Sequence, residues 1–195
     1  MKICLHRSIK VKGARYWILA AAFYCLMPLA CGTPSGKGQI EVRVKDHREA
    51  INDFSKVNIT VESIRLSPKV GFRFWRLGWL TLNPSLDQFD LTRFVNNSGV
   101  AVFKGAIDSG AFEAFDLKLR SVRGTVKKDS SVVSIDNKVT PLALSFSVNP
   151  GEPTLITLDL AVMDMSDHPP ATYELQLKGY EIYNNGKLVD KIPPG

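Results

Sequence analysis

Cysteine is nearly absent from this chain of 195 residues, and the three it has are Cys4, Cys25 and Cys31. No cysteine follows Cys31, so the long C-terminal part has no intramolecular disulfide available and depends on an apolar core. Histidine is equally scarce: His6, His47 and His168 lack the spacing to a second His or Cys that a zinc site needs. There is no Gly-x-Ser-x-Gly elbow and no glycine-rich phosphate loop, which removes two common enzyme classes. No acid–base pair or nucleophile constellation stands out, so the chain reads as non-enzymatic and without a cofactor. Nor does any long segment keep a 3.6-residue apolar period, which excludes a helical fold.

The one apolar run is at the start. Lys2, Arg7, Lys10, Lys12 and Arg15 precede an uncharged stretch from Tyr16 to Ala30. A basic region, a short apolar region and a small residue before a cut describe a secretory signal peptide. The run is short for a spanning helix, which needs roughly 20 residues. Leu29-Ala30-Cys31-Gly32 is similar to the end of a bacterial lipoprotein leader, although Pro28 stands where a branched apolar residue is usual. That resemblance implies lipidation of Cys31 and a membrane anchor. A plain export signal and an uncleaved anchor are the other readings, and all three place the rest of the chain outside the cytoplasm. The leader also accounts for the charge. Removing its five basic residues from the 25 Lys plus Arg leaves 20 against 19 Asp plus Glu, which gives no support for a nucleic-acid partner.

Residues 31–38 are small and turn-forming, as a tether would be. Thereafter apolar and polar residues alternate with the period of half-buried strands. Ile40, Val42 and Val44 form one set and Val57, Ile59 and Val61 another. The apolar parity shifts near Ser63 and again at Gly179, as β-bulges would cause. Short helices are expected over Leu86–Val95 and Val100–Phe103. Leu142 to Val162, broken by Asn149-Pro150-Gly151, reads as a hairpin. Seven or eight strands of this kind predict an all-β domain, a single antiparallel sandwich of immunoglobulin-like or transthyretin-like type, over 39–185 with a tail at 186–195.

Several segments in order resemble the bacterial domain-of-unknown-function 4382 family of exported proteins. They are Gly38-Gln39-Ile40-Glu41-Val42-Arg43-Val44-Lys45-Asp46, Val57 to Leu66, Gly78-Trp79-Leu80-Thr81-Leu82, Phe89-Asp90-Leu91, Phe115 to Arg120, Leu155 to Leu160 and Tyr173 to Leu177. The resemblance implies a sandwich domain, often lipid-anchored, and brings no catalytic residues. Asp46-His47-Arg48-Glu49-Ala50 lacks the proline usual in that family's turn.

Two groups could carry binding. Phe72-Arg73-Phe74-Trp75-Arg76 would put Trp75 beside Arg73 and Arg76 on a strand's outer side, a stacking platform for a glycan or a hot spot for an envelope protein. The alternative packs these aromatics at the sandwich edge, with Trp79 in the core. Asp159, Asp164 and Asp167 form the best acidic cluster, and a calcium loop at Asp164 and Asp167 is weighed against an ordinary solvated turn. The resulting expectation is a monomeric, membrane-anchored envelope lipoprotein, periplasmic or surface-facing, with a binding domain. A carbohydrate-binding module and a purely structural envelope component are its alternatives.

Overall fold

Alternating side chains fold into strands because only an extended backbone sends successive residues to opposite faces. The computed structural model describes residues 36–69, 78–94, 99–168 and 171–193. Among them are twelve strands: β1 (Lys37–Asp46), β2 (Phe54–Pro68), β3 (Leu80–Leu82), β4 (Gln88–Asp90), β5 (Val100–Asp108), β6 (Gly110–Val126), β7 (Val132–Ser134), β8 (Asp136–Asn137), β9 (Leu142–Val148), β10 (Thr154–Asp164), β11 (Tyr173–Asn184) and β12 (Lys187–Ile192). Sheet A has the order β12-β11-β10-β1-β5, with β8 beside β11. Sheet B centres on β2 and β6, with β3 and β4 flanking β2 and β7 and β9 flanking β6.

The two sheets pack as an all-β sandwich. Ile40, Val42 and Val44 from sheet A and Val57, Ile59, Ile64 and Leu66 from sheet B are buried between them. Each such side chain stabilises the fold by about 1.5–3 kcal/mol relative to exposure. Phe54 of β2 meets Tyr173 of β11 edge-on across the interior, centroids 4.6 Å apart. Both expected bulges are present, at Val61/Ser63 against β6 and opposite Asp159/Leu160, where β11 has an extra residue after Leu177.

Three expectations fail on pairing. The sandwich is not purely antiparallel, because β1 and β10 run parallel from Ile40↔Thr154 to Asp46↔Leu160. Nor do β9 and β10 form a hairpin: β9 pairs with β6 in sheet B and β10 with β1 and β11 in sheet A. Pro150 and Gly151 (φ 76°) fit the centre of a type II turn, whose twist splays its flanking strands. Only the bridge Asn149↔Glu152 forms before they part. Asn185 (φ 49°) and Gly186 (φ 74°) instead have the two positive φ angles of a type I′ turn, which matches strand twist. The expected tail therefore returns as β12, paired to β11.

The helices fail too. Gln88–Asp90 is strand and Leu91–Arg93 a single 3-10 turn, while Val95 lies outside the described residues. Asp90 ends the strand locally, its Oδ1 accepting from the N–H groups of Thr92 and Val57. Val100–Phe103 is the start of β5. A second 3-10 turn, Ala50–Asp53, buries Ile51.

Candidate functional site

Ionisable groups taken into a sandwich must be paired or shifted in pKa, and sheet A has two such carboxylates. Asp46 ends β1 and Asp159 sits within β10, each 4 % exposed. Asp46 Oδ2 accepts from the Arg48 N–H at 2.9 Å, Arg48 itself adopting φ 71°. Asp159 Oδ2 is 3.5 Å from both Lys45 Nζ and His47 Nδ1. The Oδ1 atoms of Asp46 and Asp159 are buried without a hydrogen-bond partner among the described residues. Burial raises the Asp46 carboxyl from its ordinary 3.8 to about 6, against the Arg48 N–H bond and with help from the Asp159 charge.

Lys45 continues this row to Glu181, at 3.9 Å. Lys45, Asp159, Tyr180, Glu181 and Ile192 line a shallow depression, beside which Tyr180 donates its hydroxyl to Asp190 at 3.0 Å. Asp159 lines that depression, whereas Asp46 does not. The cluster's clearest physical property is a protonation-dependent stability at the end of β1.

Sheet B carries a second cluster. Asp116, also 4 % exposed, accepts from Arg65 through Nε at 2.7 Å and also through the guanidinium's NH2 group. The Trp79 ring lies over the same guanidinium, 5.2 Å from centroid to carbon. Trp79 is 40 % exposed, which overturns its expected place in the core. It sits just before the short strand β3, with the Arg65 guanidinium of β2 against its face. The sequence reading missed Arg65. Its register opposite Thr81, two residues beyond Trp79, could have been inferred from the β2–β3 pairing.

Of the residues singled out from sequence, Cys31, Arg73, Trp75 and Arg76 lie outside the described residues. The acidic cluster does not assemble. Five extended residues separate Asp159 from Asp164 by about 17 Å, far beyond the ligand distances of a calcium ion. Asp164 is exposed, and its carboxylate accepts from the backbone N–H and the hydroxyl of Ser166. Those hydrogen bonds hold its carboxyl below the usual range. Asp167 is exposed in the bend that follows. Among the described residues no three His, Cys, Asp or Glu side chains group as metal ligands.

Residues 37–176 match the family described as Domain of unknown function (DUF4382). The match opens at β1 and ends within β11, so β12 lies beyond it. No curated protein and no solved structure matches the chain.

Proposed function

The chain belongs to the DUF4382 family, and from that premise we propose that it is an exported, lipid-anchored envelope protein whose sandwich binds a partner rather than catalysing a reaction. The observation that carries this reading is the leader ending in Leu29-Ala30-Cys31, with β1 beginning six residues later at Lys37. A lipid on Cys31 is thereby tied covalently to the end of the sandwich where β1 starts. The domain is monomeric in this reading and needs no cofactor.

The test is metabolic labelling with an alkyne fatty acid, together with fractionation of the Cys31→Ser chain. Wild type takes up label and stays with membranes; the variant loses the label and is released. Retention of an unlabelled, uncleaved wild-type chain would replace the lipid with an uncleaved anchor. Gentle crosslinking that traps one envelope protein along the whole sandwich would instead favour a purely structural role.

A further inference from the structure

A strand at the end of a sheet leaves a row of N–H and C=O groups that water, a loop or another strand must meet. At the β5 end of sheet A a loop does so. The Val102 carbonyl accepts from the N–H groups of Ser85 and Leu86 at 2.8 and 3.3 Å, and the Lys104 N–H donates to the Ser85 hydroxyl at 3.3 Å. In sheet B, β3, β4 and β7 span three residues each, and the exposed residues of β9 are Ala143 and Ser145. The far end of sheet A is β12, six residues that pair with β11 alone. No other backbone group of the described residues bonds to its outer edge.

Among the described residues β12 is also the strand with the most exposed apolar side chains, Leu188, Val189 and Ile192 being 42, 56 and 51 % exposed. A bulge leaves Val189 without an opposite residue in β11. Leu188 lies opposite Tyr183 and Lys191 opposite Glu181 on the outer face. Lys187, Asp190 and Ile192 lie opposite Asn184, Ile182 and Tyr180 on the inner one. The edge therefore carries one lysine on each face, near either end. Neither Lys187 nor Lys191 has an ion pair among the described residues, and the Glu181 carboxylate lies toward Lys45. The strand's one acid, Asp190, is engaged by the Tyr180 hydroxyl.

Resting on the reading that the sandwich binds a partner protein, we infer that β12 takes up an extended, acidic segment of that partner as a further strand of sheet A. The open backbone edge sets the form of the ligand, because a strand meets free N–H and C=O groups at the spacing of the ladder. The lysines set its charge. Carboxylates near both ends of the incoming strand reach Lys187 and Lys191, and apolar residues between them cover Leu188 and Val189. Lysines and a bulge guard an edge against indiscriminate pairing, and an acidic strand is the kind that such a guard admits. A second copy of β12 would bring two more lysines and no uncommitted acid. Acyl chains would cover the apolar side chains but give the backbone no hydrogen bonds.

The probe is a dye-labelled eight-residue peptide with two glutamates at each end and Val-Thr-Val-Thr between, so that acids face both sides of the sheet. It is titrated into the full chain in detergent micelles at about 0.15 M salt, where charges more than about 8 Å apart are screened, and followed by fluorescence anisotropy. Wild type should bind it, and hydrogen–deuterium exchange at residues 187–192 should slow on saturation. The same peptide N-methylated at alternate residues keeps its charges but loses half its backbone donors, and should bind at least tenfold more weakly. Lys187→Glu/Lys191→Glu should also weaken binding at least tenfold. Lys56→Glu/Arg123→Glu, an equal charge change on sheet B, should leave it within twofold, both variants being checked for folding by near-UV circular dichroism. No binding, equal binding of the N-methylated peptide, or equal loss in the sheet B variant overturns the proposal. The N-methylated comparison uses wild type alone, so it decides the matter even if a variant misfolds. Self-association in sedimentation, or capture by phosphatidylglycerol vesicles, that depends on Lys187 and Lys191 without peptide binding would overturn it in favour of a second copy or lipid. An envelope protein crosslinked to the sandwich despite no peptide binding would keep the partner and remove it from this edge. Cys31→Ser should bind the peptide as wild type does, which separates failure of the anchor from failure of β12.

Discussion

Asp46→Asn should stabilise the protein at neutral pH, although it deletes a charged side chain at the end of a core strand. The ionised carboxylate is held in a buried position with one oxygen unpartnered, and its pKa moves from 3.8 to about 6. At about 1.4 kcal/mol per pH unit, the charged form costs about 3 kcal/mol. A carboxyl with a higher pKa folded than unfolded binds more protons in the folded state between the two values. Its contribution to stability therefore falls as pH rises from about 4 through about 6, and stays low above. The asparagine keeps an oxygen to accept the Arg48 N–H and has no charge to bury. Urea unfolding at pH 4, 5, 6, 7 and 8, followed by intrinsic fluorescence, should show little advantage for the variant at pH 4 and about 3 kcal/mol at pH 7. For a domain of this size the neutral-pH gain is about 6–12 °C in Tm. Glu41, whose burial is outweighed by Arg43 and Lys104, moves wild-type stability the other way but cancels in the difference. A difference independent of pH, or one favouring wild type as pH rises, would refute the reasoning.

Two further changes test the packing. At Gly124 a Cβ would lie 2.3 Å from the Phe54 ring and 3.1 Å from Ile135, and the ring is held against Tyr173. Gly124→Ala should therefore lower stability by about 1–3 kcal/mol, measured by urea unfolding; a gain would mean the ring moves freely. Arg65→Met keeps most of the stem but strands the buried Asp116 charge, and should cost about 1.5–3 kcal/mol. The loss should be largely recovered in Arg65→Met/Asp116→Asn, and additivity of the two changes would argue that they do not interact.

The sandwich was legible in the sequence because its strands bury one face, and a half-buried strand writes its period directly into the residues. Ser63 and Gly179 were readable for the same reason, since a bulge shifts the apolar parity. Pairing partners were not legible. Leu142–Val148 and Thr154–Asp164 alternate as well as any hairpin, and only the turn geometry at Pro150-Gly151 sends them to different sheets. The decisive signal lies in the contrast with Asn185-Gly186, the stronger hairpin dipeptide, which straddles the expected boundary between domain and tail. Asp159 stood out as an acid within an apolar run, yet proximity in sequence grouped it with Asp164. Extended backbone carries it instead to Lys45 and His47, a contact set by the parallel register of β1.

That register also constrains the order of events as the chain emerges during synthesis. Synthesis delivers the N-terminus first, so β1 leaves the ribosome before β10 has been made. The strand can zip onto β5 once residue 108 has emerged, but its other edge waits for Thr154 to Leu160. Sheet A cannot close domain-half by domain-half as the chain emerges. Its longest-range pairing makes folding slow for the chain's size, and leaves a strand edge exposed to wrong partners during synthesis. That edge stays open to other strands until roughly the last fifth of the chain has been made.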